Sequence, residues 1–157
     1  MNTNPGPQQY VATAQRLNDA ITRLRARLRA ESGQHATGLT LTQLGVLASV
    51  VREGPVTAAR LATLERVSAQ SIAQSLAVLK AAGLVRSEPD AQDGRKKLMS
   101  ADPSATELVE KLLAGRASFL ARAVDQLVDG PDEREDVEKA IELLERLADV
   151  DLNADGI

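Results

Sequence analysis

Residues 55–101, PVTAARLATLERVSAQSIAQSLAVLKAAGLVRSEPDAQDGRKKLMSA, pass from a helical hydrophobic period to a strand-like one, and resume the strand-like pattern after a charged turn. Thr57 stands where an N-cap belongs, with a hydroxyl able to accept an orphan backbone N–H. Leu61 and Leu64 follow as a core-facing stripe, which predicts a helix ending near Glu65–Arg66. Val67 fills a turn. Ser68 then caps a second helix in which Ile72, Leu76 and Leu79, at i, i+4 and i+7, share one buried face, and Gly83 ends it.

Opposite that stripe lie Gln70, Gln74, Ala77, Val78 and Ala81, with Ser71 at the edge, and there is no charge from Val67 to Leu79. A solvated helix face ordinarily carries Lys or Glu. The composition fits either a low-charge surface helix or one that lies against another surface, with Gln amides for hydrogen bonds and small side chains for close approach. A DNA major groove is such a surface. The next segment decides between the two. Leu84–Val85 opens a strand and Pro89 confines it to a sheet edge. Residues 90–97 (DAQDGRKK) then form a turn ending in three consecutive cations, before Leu98 and Met99 resume the apolar pattern. Cations at a hairpin tip suit phosphates, and Asp93, two residues before Arg95, is expected to hold its guanidinium oriented for a narrow minor groove. The whole reads as a winged helix-turn-helix over residues 39–102. Its DNA-binding set is Ser68, Gln70, Ser71, Gln74, Val78, Asp93, Arg95, Lys96 and Lys97.

The segments Leu39-Thr40-Leu41-Thr42-Gln43 with Leu47, Gly54-Pro55-Val56-Thr57, Leu61-Ala62, Val67-Ser68, Leu79 and Gly83-Leu84-Val85 come in this order, followed by the Asp90-x-x-Asp93-x-Arg95 wing. In order and spacing they resemble the MarR family of bacterial transcription regulators. The resemblance implies Ser71 and Gln74 on groove-facing sites of the recognition helix and Arg95 in the minor groove. It implies a regulator, a repressor, that is released by a small lipophilic or phenolic effector bound between the winged domain and the dimerisation arms. The sequence departs from the family in three places. Gln74 and Val78 stand where many relatives carry Arg, Ala69-Gln70 replaces a frequent proline, and Arg66 replaces a common small turn residue.

The flanks read as helices that need partners. From Tyr10 to Arg29 the positions Val11, Ala14, Leu17, Ile21, Leu24 and Leu28 alternate spacings of three and four, a seam that predicts an N-terminal dimerisation helix over residues 10–31. A short turn through Gly33 to Gly38 follows, and Thr40 with Gln43 spells a capping box for the helix carrying Leu44, Leu47 and Val51. After the wing, Asp102-Pro103 begins a long helix, with Leu108, Leu112, Phe119, Ala123 and Leu127 on one face and Val109, Leu113, Leu120 and Val124 on another. Gly130-Pro131 breaks it. The last helix, from about Asp132 to Leu152, carries Val137, Ile141, Leu144 and Ala148, with Leu143, Leu147 and Val150 beside them. Two such two-sided helices within residues 103–153 exceed what one small winged domain covers. The predicted dimer contacts are therefore Leu17, Ile21, Leu24, Val137, Ile141, Leu144 and Leu147.

Composition narrows the function. With 157 residues and 43% hydrophobic content, the chain fits one domain with helical extensions, mainly α with a small β wing. It has no cysteine, hence no disulfide and no thiol sensor. His35, the only histidine, reads as a loop residue beside glycines, so neither a metal nor another cofactor is expected. Residues 1–9, with two prolines and a glycine, lack the apolar core of a signal sequence and are expected to be a disordered arm. The longest apolar run, 46–51, is too short to span a bilayer, which excludes a membrane role and predicts a cytoplasmic protein. There is no nucleophile with a base and no glycine-rich phosphate loop, which argues against an enzyme.

The net charge of −3 is unevenly spread: residues 54–100 carry seven basic and four acidic side chains, residues 101–157 six and fifteen. Beyond a Debye length of about 8 Å at physiological salt a distant acidic arm is screened, so the basic wing acts locally. The expected function is a homodimeric, sequence-specific binder of double-stranded DNA at a palindromic operator. The alternative is a winged-helix protein–protein interaction module without DNA binding, in which the uncharged helix face meets another protein.

Overall fold

The structure is a computed structural model, and it describes residues 6–151. The chain divides into two compact units, one ending at Ala117 and the other beginning at Ser118.

The first unit opens on a 3-10 turn, Pro7–Tyr10, whose first three residues fall in the stretch 1–9 expected to be a disordered arm; residues 1–5 lie outside the described residues. Pro7 at the first helical position has its φ already fixed for the turn, which leads directly into helix α1, Val11–Glu31. Between α1 and α2 the expected plain turn is a second 3-10 helix, Gln34–Thr37, bracketed by Gly33 (φ 75°) and Gly38 (φ 68°) in the left-handed region where glycine is unstrained. Helix α2, Leu41–Glu53, begins at the capping box: Thr40 Oγ1 accepts from the Gln43 N–H at 3.2 Å and Gln43 Oε1 from the Thr40 N–H at 2.9 Å.

Strand β1, Val56–Thr57, is followed by α3, Ala58–Glu65, and α4, Ala69–Ala81. Strands β2, Val85–Pro89, and β3, Lys97–Ala101, then lead to α5, Pro103–Leu127. The sheet order is β1-β3-β2, all antiparallel, with Val56 opposite Met99 and Ser87 opposite the same residue on the other side. The sequence pattern gives β2 and β3 but not β1, because two residues are too few to show a period. Pro89 sits on the edge strand β2, where its missing N–H costs no ladder bond.

The core beneath the sheet is aliphatic. Val46, Leu47 and Val50 of α2 meet Leu61 of α3, Ile72, Leu76 and Leu79 of α4, and Val85, Met99 and Val109. Removing the Leu47 side chain beyond Cβ should cost about 2–5 kcal/mol, since the residue is fully buried and the void cannot fill with water.

α5 starts at a junction with the wing. The Asp102 N–H donates to the Leu84 carbonyl at 2.9 Å, and its carboxylate accepts from the Ser104 N–H at 3.0 Å and the Ser104 hydroxyl at 2.7 Å. Those bonds, the hydroxyl first, hold the Asp102 carboxyl below its ordinary pKa, with a smaller pull from Arg86.

In the second unit, helix α6, Pro131–Asp149, follows Gly130 and carries Asp132 and Glu133 in its first turn, where carboxylates favour the helix dipole. It ends before the predicted Leu152, which lies outside the described residues. Ile141, Leu143, Leu144 and Leu147 are all exposed. No helix among the described residues is long and apolar enough to cross a membrane.

Candidate nucleic-acid interface

Helix α4 is held from both ends. The Ser68 Oγ accepts the Ser71 N–H at 3.1 Å, and Gly83, at φ 72°, closes the C-terminus, with the Leu84 N–H reaching the Leu79 carbonyl at 3.0 Å. With Ile72, Ser75, Leu76 and Leu79 buried, the helix presents Gln70, Gln74, Ala77, Val78 and Ala81 outward, and Ser71 is half-buried at the edge. Val78 is 42% exposed, a large apolar side chain on a face otherwise made of amides and methyls.

The turn before α4 is an unusual one. Arg66 has φ 52° and ψ 42°, the one non-glycine residue with positive φ among those described, and the Val67 N–H reaches back to the Ala62 carbonyl at 3.2 Å. The same pattern of bonds ends α4 with a glycine, so arginine here occupies a site where glycine would be unstrained. The sequence placed a turn at Arg66–Val67, but no local pattern marks an arginine as left-handed.

At the wing, the Asp90 N–H donates to the Lys96 carbonyl at 2.8 Å and the Lys96 N–H to the Asp93 carbonyl at 2.9 Å. The expected hold of Asp93 on the Arg95 guanidinium is corrected here: Asp93 Oδ1 accepts the Arg95 backbone N–H at 3.1 Å, and no Asp93–Arg95 ion pair forms among the described residues. A two-residue spacing brings the short carboxylate onto the backbone N–H in an Asx turn, and an exposed ion pair there would gain little. Arg95, Lys96 and Lys97 are exposed and carry no ion pair among the described residues.

The predicted dimer residues are on other elements. Ile21 and Leu24 of α1 are exposed and Leu17 is half-buried; on α6, Ile141, Leu144 and Leu147 are exposed and Val137 is half-buried.

Sequence reasoning missed a cavity of about 130 Å³ inside the first unit. Leu41, Leu44, Gly45 and Ala48 of α2 form one wall; Val109, Leu113 and Arg116 of α5 form the other. Arg116 is the only charged residue lining it among the described residues. One guanidinium nitrogen donates to the Oε1 of buried Gln34 at 3.1 Å, while its Nε is buried with no hydrogen-bond partner among the described residues. Its walls come from segments more than fifty residues apart, so no local motif could have marked it. No cluster of metal-binding side chains occurs among the described residues.

Comparison with known proteins agrees with this geometry. The chain is 33% identical over 133 residues to a helix-turn-helix-type transcriptional regulator of Mycobacterium leprae, covering 85% of this chain and 90% of that one. A similar regulator of Mycobacterium tuberculosis is 32% identical over the same length and coverage. Among solved structures, a transcriptional regulator protein from Pseudomonas aeruginosa superposes with a TM-score of 0.74 at 28% identity, covering 94% of this chain and all of that one. MepR of Staphylococcus aureus, in a structure bound to an oligodeoxyribonucleotide, shares the fold at a TM-score of 0.61 and 18% identity, over 87% of this chain and 96% of that one. The family model of MarR matches residues 37–96. With its winged helix-turn-helix and these relatives, the chain belongs to the MarR family of DNA-binding transcription regulators.

Proposed function

We propose that two copies of this chain bind a palindromic operator and repress transcription, each laying α4 in a major groove and Arg95 in the flanking minor groove. The observation that carries this reading is the pairing of an uncharged, amide-bearing face on α4 with three exposed cations at the wing tip. The amides suit base edges and the cations suit phosphates, the two classes of contact that specific binding requires. The structure of MepR on DNA adds support at the level of the fold.

The flanking helices support dimerisation. α1 leaves Ile21 and Leu24 exposed and α6 leaves Ile141, Leu144 and Leu147 exposed, apolar side chains at helical spacing that a second copy could cover. In a closed twofold dimer those faces are buried and the two copies of α4 read half-sites about one helical turn apart.

The cavity between α2 and α5 is the site proposed for a releasing effector. Its volume suits a single small ring, its walls are aliphatic, and Arg116 lends them a positive charge, so the ligand class it favours is a small lipophilic or phenolic anion.

Selection of bound duplexes from a random pool, followed by titration at several salt concentrations, tests the reading. Inverted half-sites spaced by about one turn, with affinity falling steeply in salt, are the expected result. Recovery of no common sequence, or of a single unpaired half-site, would overturn it.

A further inference from the structure

Ser49 is a hydroxyl set among the aliphatic side chains of α2, between Val46, Leu47 and Val50, and it is 1% exposed. It donates to Oε1 of Glu65, the last residue of α3, and accepts from an Arg52 guanidinium nitrogen at 3.2 Å. One turn earlier on α2, Gly45 leaves the space that the other carboxylate oxygen fills: a Cβ there would lie 2.6 Å from Glu65 Oε2. A donor and a vacancy four residues apart, on one face of α2, thus receive a single carboxylate.

Glu65 directly precedes the left-handed Arg66, then Val67 and the Ser68 cap of α4. Its carboxylate is thus held at the end of α3, three residues before the cap of α4. A polar contact in an otherwise aliphatic core is a poor source of stability, since a well-packed apolar pair does as well, but it fixes one relative placement of the elements it joins.

We propose that Glu65 is a positioning residue for DNA readout, clamped by Ser49 and Gly45 of α2 so that α4 meets the groove at one angle. This rests on the reading of α4 as the recognition helix. Loss of the clamp leaves the cations of the wing untouched, so binding to arbitrary DNA persists while discrimination falls.

The test uses the full chain with Ser49→Ala, Gly45→Ala, Glu65→Ala and Glu65→Gln. Each is titrated on the duplex selected by the parent protein and on a random duplex of equal length. Hydrogen exchange of residues 66–72 is followed without DNA, and the folded fraction is monitored by circular dichroism. The first three variants should weaken binding to the selected duplex by about five- to tenfold, with little change on the random one, and should speed exchange in the turn. Glu65→Gln keeps an oxygen that accepts from Ser49 and should restore both. Equal weakening on both duplexes, a loss that follows the folded fraction, unchanged exchange, or a Glu65→Gln variant as poor as Glu65→Ala would overturn the proposal. Should the parent protein select no sequence, the DNA reading fails, and the exchange data still decide whether the clamp exists.

Discussion

The carboxylate of Asp93 accepts the backbone N–H of Arg95 at 3.1 Å, so it orders the wing turn and leaves the neighbouring guanidinium without an ion pair among the described residues. The two residues should therefore fail differently when replaced. Arg95→Ala removes the contact itself and should cost about 1–3 kcal/mol of DNA affinity with the turn intact. Asp93→Asn keeps an oxygen acceptor for the N–H and should bind nearly as well as the parent, whereas Asp93→Ala loosens the turn. Neutralising Lys96 and Lys97 together should flatten the salt slope by about one to two units per protomer on every duplex, as released counterions require. Salt titrations of the four variants check this, and a full-strength Asp93→Ala would contradict the role given to the carboxylate.

Asp102 supplies a pH prediction. Its carboxyl is held below the ordinary value by the Ser104 hydroxyl and N–H, so the folded state favours the ionised form more than the unfolded chain does. The unfolded state then binds more protons in that range, and stability rises with pH through it. The contribution is complete above the unfolded pKa of about 3.9 and is lost as the pH falls through the lowered folded value. Urea denaturation of the parent and Asp102→Asn should differ by a constant amount near neutrality and converge toward strong acid. A difference that grows on acidification would show that the carboxylate is not the stabilising form.

The backbone at Arg66 predicts a gain. A left-handed residue with a Cβ is strained by about 1–2 kcal/mol, and glycine removes that strain while giving back about 0.5–1 kcal/mol in chain entropy. Arg66→Gly should leave stability unchanged or raise it by up to about 1.5 kcal/mol, and Arg66→Val, branched at Cβ, should lower it. Chemical denaturation measures both. A strongly destabilised Arg66→Gly would mean that the arginine side chain holds the turn in a way its φ of 52° does not reveal.

Where local chemistry is self-sufficient, the structure could be read from the sequence. Thr40, Thr57 and Ser68 cap their helices because a hydroxyl three residues before an N–H is a local arrangement. Ile72, Leu76 and Leu79 are buried because their period is helical. Pro89 and Gly83 act through their own backbones. What escaped the reading depends on residues distant in sequence. β1 exists only because β3 pairs with it, Glu65 meets Ser49 sixteen residues away, and Arg116 reaches Gln34 across eighty-two. The Asp93–Arg95 reading failed for a different reason: the right pair was chosen, but the nearer backbone N–H outcompeted the long, solvated guanidinium for the carboxylate.

The exposed face of α4 sets the expectation for base readout. Gln70 and Gln74 are its long hydrogen-bonding side chains, Ser71 is short and half-buried, and no cation appears before Lys80. A Gln amide matches the N6 donor and N7 acceptor of adenine, whereas the bidentate contact to guanine is best made by Arg or Lys. Val78, Ala77 and Ala81 are exposed beside them and suit thymine methyl groups. The half-site should therefore be read mainly at A·T pairs, with an adjacent narrow A·T-rich minor groove receiving Arg95. Gln74→Ala should lose about 1–3 kcal/mol on the selected operator and little on random DNA, since a base contact carries sequence information and a phosphate contact does not. Competition titrations on both duplexes decide it. Selected sites dominated by guanine under this helix, or a Gln74→Ala variant weakened equally on all sequences, would mean that α4 meets the groove with a different face from the one opposite Ile72, Leu76 and Leu79.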